Sequence, residues 1–381
     1  MVLGTVIVVA MLLVAAYAVY FNPRTIDGFK SGTLKTPELT TADQPPGIPP
    51  TPGTLVSQTY SYTLDWEMAP VYVFYGGMMR VSLDNNGASD IYVYRLAFRW
   101  LDYGGTYAKN TAVLIPSGQK VSLGVLPFKG PNATGDYHYC LELKVAASTL
   151  THSAWYDFGR VTMAPRIASV ENGTKTIDYT VEHNPLSCYD RFNRLVDYSQ
   201  TAGEVSVIRE KYPGNYSLLQ VLEAYEWTYA NVQYQDDPQD YWQSANETMA
   251  RRTGDCEDFA VLMASFIGEL GGNAQLNLID GHAFATVLVT TSASELPLVQ
   301  VAVDSFYGTH DDSVRLTYLH DGSGYWLVVD PTGTPYAGGL PSLAAPIKGL
   351  ETRGEWSFTE STWLITVDAT GDPTGSWLPW F

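Results

Sequence analysis

The chain has 381 residues, more than one ordinary domain holds, and length alone suggests about two to three. Its 22 Lys and Arg against 40 Asp and Glu leave a formal net charge of −18, which excludes binding to a nucleic-acid backbone, since that needs a basic face. With 45% hydrophobic residues and three Cys, the chain is neither disordered throughout nor a disulfide-stapled miniprotein.

Residues 2–21, VLGTVIVVAMLLVAAYAVYF, carry no charge. As a helix such a stretch rises about 30 Å, the thickness of a hydrocarbon core. Tyr17, Tyr20 and Phe21 stand at its exit end, where interfacial aromatics sit. Residues 1–21 are therefore expected to be a transmembrane anchor. A cleaved signal peptide is the alternative, because Ala16-Tyr17-Ala18 has the A-x-A form, although no basic segment precedes it. Residues 22–55 are read as a Pro/Thr-rich stalk, on the strength of TPELTTADQPPGIPPTPGTL. Arg24, Lys30 and Lys35 alone would hold that side in the cytoplasm. The stalk, the sequons at Asn132, Asn172, Asn215 and Asn246, and the acidic remainder point outward. A single-pass membrane protein with an extracytoplasmic body is the expectation.

Residues 56–165 carry short runs of β-branched and aromatic residues at period two, among them MRVSLDNNG, IYVYRLAFRW and YHYCLELKVAA. Asn85-Asn86-Gly87, Tyr103-Gly104-Gly105 and Pro116-Ser117-Gly118 supply turns. This is the pattern of an antiparallel β-sandwich of immunoglobulin-like type. It holds no chemical motif, and its two His, His138 and His152, are isolated.

A second, α+β domain is expected over 166–345. Glu204–Lys211 and Ser217–Tyr234 read as helices. From Asp258 onward Phe259, Leu262, Met263, Phe266, Ile267 and Leu270 make one apolar face, which Gly271-Gly272 ends. Cys256 then lies at a helix N-terminus, where unpaired N–H groups and the macrodipole favour a thiolate. His282 opens the apolar run HAFATVLVT, and Asp330 ends YWLVV before a Pro-Thr-Gly turn. A thiolate with His and Asp on neighbouring strand ends is a Cys–His–Asp triad, with Cys256 as nucleophile, His282 as base and Asp330 as its orienting carboxylate.

At these residues the chain resembles the transglutaminase-like superfamily of papain-type cysteine enzymes. The matching segments are ETMARRTGDCED at Glu247–Asp258, GHAF at Gly281–Phe284 and WLVVDPT at Trp326–Thr332. The resemblance covers about residues 195–345 and implies an α+β core with the nucleophile helix against an antiparallel sheet. It implies the catalytic roles of Cys256, His282 and Asp330, and the anchored arrangement with a leading β domain looks like archaeal or bacterial surface members. Its GDCED pattern also implies that Asp255 and Glu257 help bind calcium, with Asp236, Asp237 and Asp240 close by; oxygen ligands suit that hard cation. No His/Cys spacing suggests zinc.

The chain departs from the family where 48 residues separate His282 and Asp330. Residues 291–323 are read as an insertion in which LVQVAVDSFYG forms an extra strand, making Asp304 the second candidate for the orienting carboxylate. One oxyanion donor is the Cys256 N–H; the other is a side chain, with Tyr234 and Gln243 ranked level and Gln235 behind. Outside the cell Cys140 and Cys188 are free to pair as a disulfide, leaving Cys256 as the odd thiol. Residues 346–381, with the run WLITV and the ending GSWLPWF, are expected to be an extension folding back on its own domain.

Together these features predict a cell-surface cysteine hydrolase that cleaves a protein or peptide substrate through a thioester and requires no cofactor, with calcium as an optional ligand. Two alternatives stay open: acyl transfer to an amine, as in a transglutaminase, and a non-catalytic adhesion or scaffold protein.

Overall fold

A computed structural model describes residues 26, 28–29, 34–42, 60–149, 155–237, 239, 241–309 and 313–372. The period-two segments of the N-terminal half form nine strands: β1 (Tyr62–Met68), β2 (Val71–Tyr72), β3 (Gly77–Asn85), β4 (Ile91–Trp100), β5 (Thr106–Ile115), β6 (Lys120–Phe128), β7 (Gly135–Ser148), β8 (Trp155–Thr162) and β9 (Arg166–Glu171). β1, β3 and β6 make one sheet; β2, β9, β7, β4 and β5 make another, with β8 also paired to β7. Alternation sends Val81 and Leu83 of β3, Phe98 and Trp100 of β4, and Leu141 and Leu143 of β7 into one core. There Phe98 stacks on Phe128 with centroids 4.1 Å apart, and burying one such ring stabilises by about 1.5–3 kcal/mol. One pairing differs from the all-antiparallel sandwich of the sequence reading. β2 runs parallel to β9, with Val71 opposite Val170, and so covers the otherwise free edge of β9.

The second half contains β10 (Thr180–His183), α1 (Leu186–Asn193), α2 (Ala202–Lys211), α3 (Leu218–Asn231), β11 (Gln233–Tyr234), α4 (Ala245–Arg251), β12 (Thr253–Gly254), α5 (Cys256–Leu270), β13 (Ala274–Ile279), β14 (His282–Thr290), α6 (Leu296–Tyr307), β15 (Tyr318–His320), β16 (Tyr325–Val329), β17 (Ala344–Pro346), β18 (Trp356–Phe358) and β19 (Trp363–Asp368). Six of these strands form one sheet in the order β10-β19-β13-β14-β16-β15. All nine residues of β14 are buried, which fits a continuous apolar run covered on both faces. The apolar side of α5, with Phe266 and Ile267 fully buried, shares its core with Val287 and Val289 of β14.

Several expectations need correction. No helix among the described residues is long and apolar enough to cross a membrane, and the apolar segment 2–21 lies outside the described residues. The described structure therefore does not support the expected transmembrane helix or the single-pass extracytoplasmic placement built on it. Within the segment read as a stalk, residues 34–42 lie against the second domain. Glu38 bridges Ser217 in parallel, Lys35 N donates to Asn273 Oδ1 (2.7 Å) and Ala42 N to Ser305 Oγ (3.0 Å). The expected extra strand at LVQVAVDSFYG is helix α6. Pro297 enters its first turn, Val299, Ala302, Val303 and Tyr307 form its buried face, and Gly308 ends it in a left-handed conformation. The run WLITV is β19, hydrogen-bonded between β10 and β13, so residues read as an extension supply an inner strand of the sheet. Cys140 and Cys188 are free thiols rather than a disulfide: Cys140 is buried in β7 of the first domain, whereas Cys188 is half-buried on α1 of the second. The terminal Trp377, Trp380 and Phe381 lie outside the described residues.

Candidate active site

The start of α5 is built by its own side chains. Asp255 is the N-cap, and it and Asp258 accept from each other's backbone N–H groups in a reciprocal capping box. Gln243 adds its backbone N to Asp258 Oδ1 (2.6 Å) and its amide Nε2 to Asp258 Oδ2 (2.5 Å). Burial pushes the Asp258 carboxyl up to about 6. Cys256 follows as the first residue of the helix, where its N–H has no intrahelical acceptor.

The thiol itself differs from the expected thiolate. Cys256 Sγ donates to Glu257 Oε2 at 3.0 Å. Burial, and then the Glu257 carboxylate, raise the thiol well above its ordinary range, while the Ala283 N–H, bonded to the sulfur, works in the opposite direction. Helix position favoured an anion, but desolvation and an adjacent carboxylate outweigh it. Burial and the carboxylate thus oppose the thiolate at a sulfur that lies against the first residues of β14.

His282 is brought there by a tight hairpin. Ile279 of β13 pairs with His282 of β14, leaving only Asp280-Gly281 as the loop, and Gly281 takes φ 76°. Asp-Gly is a common two-residue hairpin loop, and here Gly281 alone takes the positive φ, which glycine adopts without a Cβ penalty. The buried His282 ring bonds through Nε2 to Asp330 Oδ2 at 2.8 Å, so its other nitrogen, Nδ1, is not taken by that carboxylate. Asp330 lies one residue past the pairing of Val329 with Ala285. Its Oδ1 accepts from Thr332 N (3.1 Å) and Thr332 Oγ1 (2.7 Å), and its Oδ2 from Ser342 N (3.1 Å). His282 and these donors hold the Asp330 carboxyl below its ordinary value although burial opposes them. The turn must come very close: a Cβ on Gly333 would stand 2.5 Å from Asp330 Oδ2 and 2.7 Å from Ser342 N. Thr332 and Ser342 were not picked out from sequence; the Asp-Pro-Thr turn signals the first, and nothing local signals the second.

The two oxyanion candidates separate. Gln243 is committed to Asp258, and its remaining contact is Nε2 to Thr253 O at 3.4 Å. Tyr234 is set beside the nucleophile by the parallel pairing of β11 with β12, Tyr234 opposite Gly254. Its ring is half-exposed, and burial of the hydroxyl, a hydrogen bond to Asp236, and the neighbouring Cys256 raise its pKa. Gln235 turns to backbone pairing, its N donating to Gly254 O at 2.9 Å.

Asp304, the second candidate for the orienting carboxylate, is elsewhere. It sits in α6, where Oδ1 accepts from Thr309 Oγ1 and Val314 N (2.9 Å each) and Oδ2 from Gln300 Nε2 (3.1 Å). Asp255 bonds the Glu257 side chain and the Asp237 N–H, and burial raises its carboxyl. Among the described residues no group of three or more His, Cys, Asp or Glu side chains is arranged to hold a metal ion; Asp240 lies outside them.

No family model matches the chain, and no curated protein matches it. Among solved structures it shows a distant likeness to a protein of Cytophaga hutchinsonii described provisionally as a cysteine protease. Identity is 11% over 84% of this chain and 96% of that one, with a TM-score of 0.22. A late embryogenesis abundant protein, also a provisional assignment, is 15% identical over 29% of this chain and 68% of its own, at a TM-score of 0.19. A PapD-like domain of human CEP192 is 12% identical over 33% of this chain and 94% of its own, at 0.18. At such TM-scores the chemistry has to be judged from the side chains themselves.

Proposed function

We propose that the chain is a cysteine hydrolase of the transglutaminase-like kind, cleaving an amide or peptide bond through a thioester on Cys256. The observation that carries this reading is the buried 2.8 Å bond from His282 Nε2 to Asp330 Oδ2, next to a sulfur that touches the N–H of the following residue, Ala283. With Nε2–H donated to Asp330, the lone pair of Nδ1 is the base. It takes the thiol proton as Sγ attacks the carbonyl carbon, and the carbonyl π electrons move onto oxygen. In this reading the Cys256 N–H and the Tyr234 hydroxyl, released from its bond to Asp236, receive that oxyanion. Its collapse breaks the C–N bond, and the amine leaves with the proton held by His282. Water then gives a proton to His282 and adds to the thioester; when the C–S bond breaks, the thiol recovers the proton and the acid departs. Since burial and the Glu257 carboxylate bias the sulfur toward the thiol form, in this reading proton removal accompanies attack instead of preceding it.

A small activated ester tests this without knowledge of the substrate. p-Nitrophenyl acetate should release one equivalent of nitrophenolate in a burst and leave acetyl on Cys256, located by peptide mass spectrometry. Both should vanish in Cys256→Ala, and in His282→Ala the burst rate should fall by roughly 10²–10⁴-fold. A wild-type protein with no acetyl on Cys256, or a rate indifferent to His282, would overturn the reading and leave a non-catalytic scaffold.

A further inference from the structure

The β domain contains no chemical motif, yet one of its side chains is buried against the segment that follows Asp330. Arg80 on β3 reaches across to the second domain, where its guanidinium forks onto Glu226 of α3, Nη1 to Oε2 at 2.6 Å and Nη2 to Oε1 at 2.7 Å. Its third donor, Nε, bonds Pro335 O at 2.8 Å. Tyr229 covers the cation, its ring centroid 4.3 Å from the guanidinium carbon. Glu226 Oε1 also accepts from the Tyr307 hydroxyl (2.9 Å), and that hydroxyl accepts from Ala337 N (2.9 Å). One helical position from Glu226, the Tyr225 hydroxyl bonds Thr334 O at 2.5 Å and lies 3.4 Å from Asp330 O.

These contacts converge on one short segment. Residues 330–337 carry Asp330, and its backbone is held at Asp330 O and Thr334 O by Tyr225, at Pro335 O by Arg80 and at Ala337 N by Tyr307. Two of those four contacts run through the Arg80–Glu226 pair, Pro335 O directly and Ala337 N by way of Tyr307, and the other two come from Tyr225, the residue beside Glu226. A buried ion pair is a poor source of net stability, because desolvation cancels much of the attraction. A guanidinium does something an apolar replacement does not: it presents rigidly spaced donors in fixed directions, here two to a carboxylate and one to a carbonyl. The apolar contact across the boundary, where Met78 and Val125 of the first domain join the core of the second, already supplies cohesion.

We propose that Arg80 is a positioning residue for the His282–Asp330 pair, so that the β domain completes the candidate site rather than spacing it from a surface. This rests on the reading of that pair given above, and it is testable even if Cys256 proves inert. In the full chain labelled with ¹⁵N-histidine, the Nε2–H of His282 should give a far-downfield proton resonance, identified by its loss in His282→Gln. Arg80→Met should broaden or remove that resonance and slow Cys256 acetylation by about tenfold or more. Arg80→Lys should recover part of both, while Arg99→Met, on the same domain but paired with Glu142, should change neither. Tyr225→Phe, which alters no charge, should reproduce the loss of the resonance if Arg80→Met fails to fold. An unchanged resonance in folded Arg80→Met, or in Tyr225→Phe where Arg80→Met does not fold, would overturn the proposal and make Arg80 a domain fastener only. If the wild type shows the resonance but no acetylation, the hydrolase reading fails while the resonance still decides the role of Arg80.

Discussion

Two His–Asp pairs lie on the same six-stranded sheet, and only one of them belongs to the strand that touches the Cys256 sulfur. His282 meets Asp330 at 2.8 Å, and His183 of β10 meets Asp368 of β19 at 3.0 Å. Both carboxylates are saturated with donors: Asp368 also accepts from Asn184 Nδ2, Gln275 Nε2 and Phe29 N (3.1 Å each). Both are held below the usual carboxylate range by those bonds and by their His partners, against burial. The imidazoles differ. The His282 side chain is 5% exposed on the strand whose Ala283 N–H bonds the Cys256 sulfur, whereas His183 is 50% exposed on an outer strand. An oriented imidazole is therefore common to a structural tie and a candidate catalytic pair. The distinction lies in what faces its second nitrogen and how much water reaches it.

The sharpest way to break this comparison is to remove each carboxylate's charge in turn. Asp330→Asn should lower the burst rate of Cys256 acetylation by roughly 10²–10⁴-fold, since the wrong tautomer is then favoured. Asp368→Asn should leave that rate within about twofold; a comparable loss there would mean that both pairs serve one site. Next in size is the oxyanion. Tyr234→Phe should slow acetylation by about 10²-fold yet leave alkylation by iodoacetamide unchanged, because alkylation develops no oxyanion. Equal effects on the two reactions would assign Tyr234 to thiol activation instead.

A third substitution reports on the Asp330 turn. Gly333→Ala places a methyl group against Asp330 Oδ2 and Ser342 N, and should lower stability to urea by about 1–3 kcal/mol. An unaffected midpoint would show that the turn has room to move.

The smallest expected effect is the pH dependence of the half-exposed pair. Asp368 is depressed, so its contribution is present above the unfolded value of about 3.9 and is lost as pH falls through the folded value. His183 is raised, first by its hydrogen bond to Asp368, so its contribution is present below about 6.5 and is lost as pH rises through the raised folded value. Solvent screening limits the pair to about 1 kcal/mol or less. Urea unfolding of wild type and His183→Ala should therefore differ most near pH 5 and least at pH 9. A difference that grew toward alkaline pH would refute the charged pairing.

Local sequence made some of the candidate site legible and hid the rest for identifiable reasons. The α5 helix was visible because its apolar face recurs at three and four and Gly271 closes it. His282 was visible because it opens the apolar, strand-like run HAFATVLVT just after Gly281. Helix α6 was mistaken for a strand because LVQVAVD also alternates at period two; Pro297 at its start and the spacing of Val299, Ala302, Val303 and Tyr307 were the better signal. The choice of Tyr234 over Gln243 depended on a two-residue parallel pairing with no compositional mark.

By itself the sequence determined which residues could do chemistry and the local turns that present them, since caps, hairpin glycines and helical periodicity act over a few neighbouring residues. Tertiary structure alone decided the surroundings of Cys256, where burial and the carboxylate beside the sulfur push the thiol up against the pull of the helix terminus. It also decided which carboxylate meets His282, Asp330 and not Asp304, and it carried Arg80 from a distant β domain to the turn that holds Asp330. Those outcomes depend on desolvation and on contacts between residues far apart in the chain, which no local pattern records.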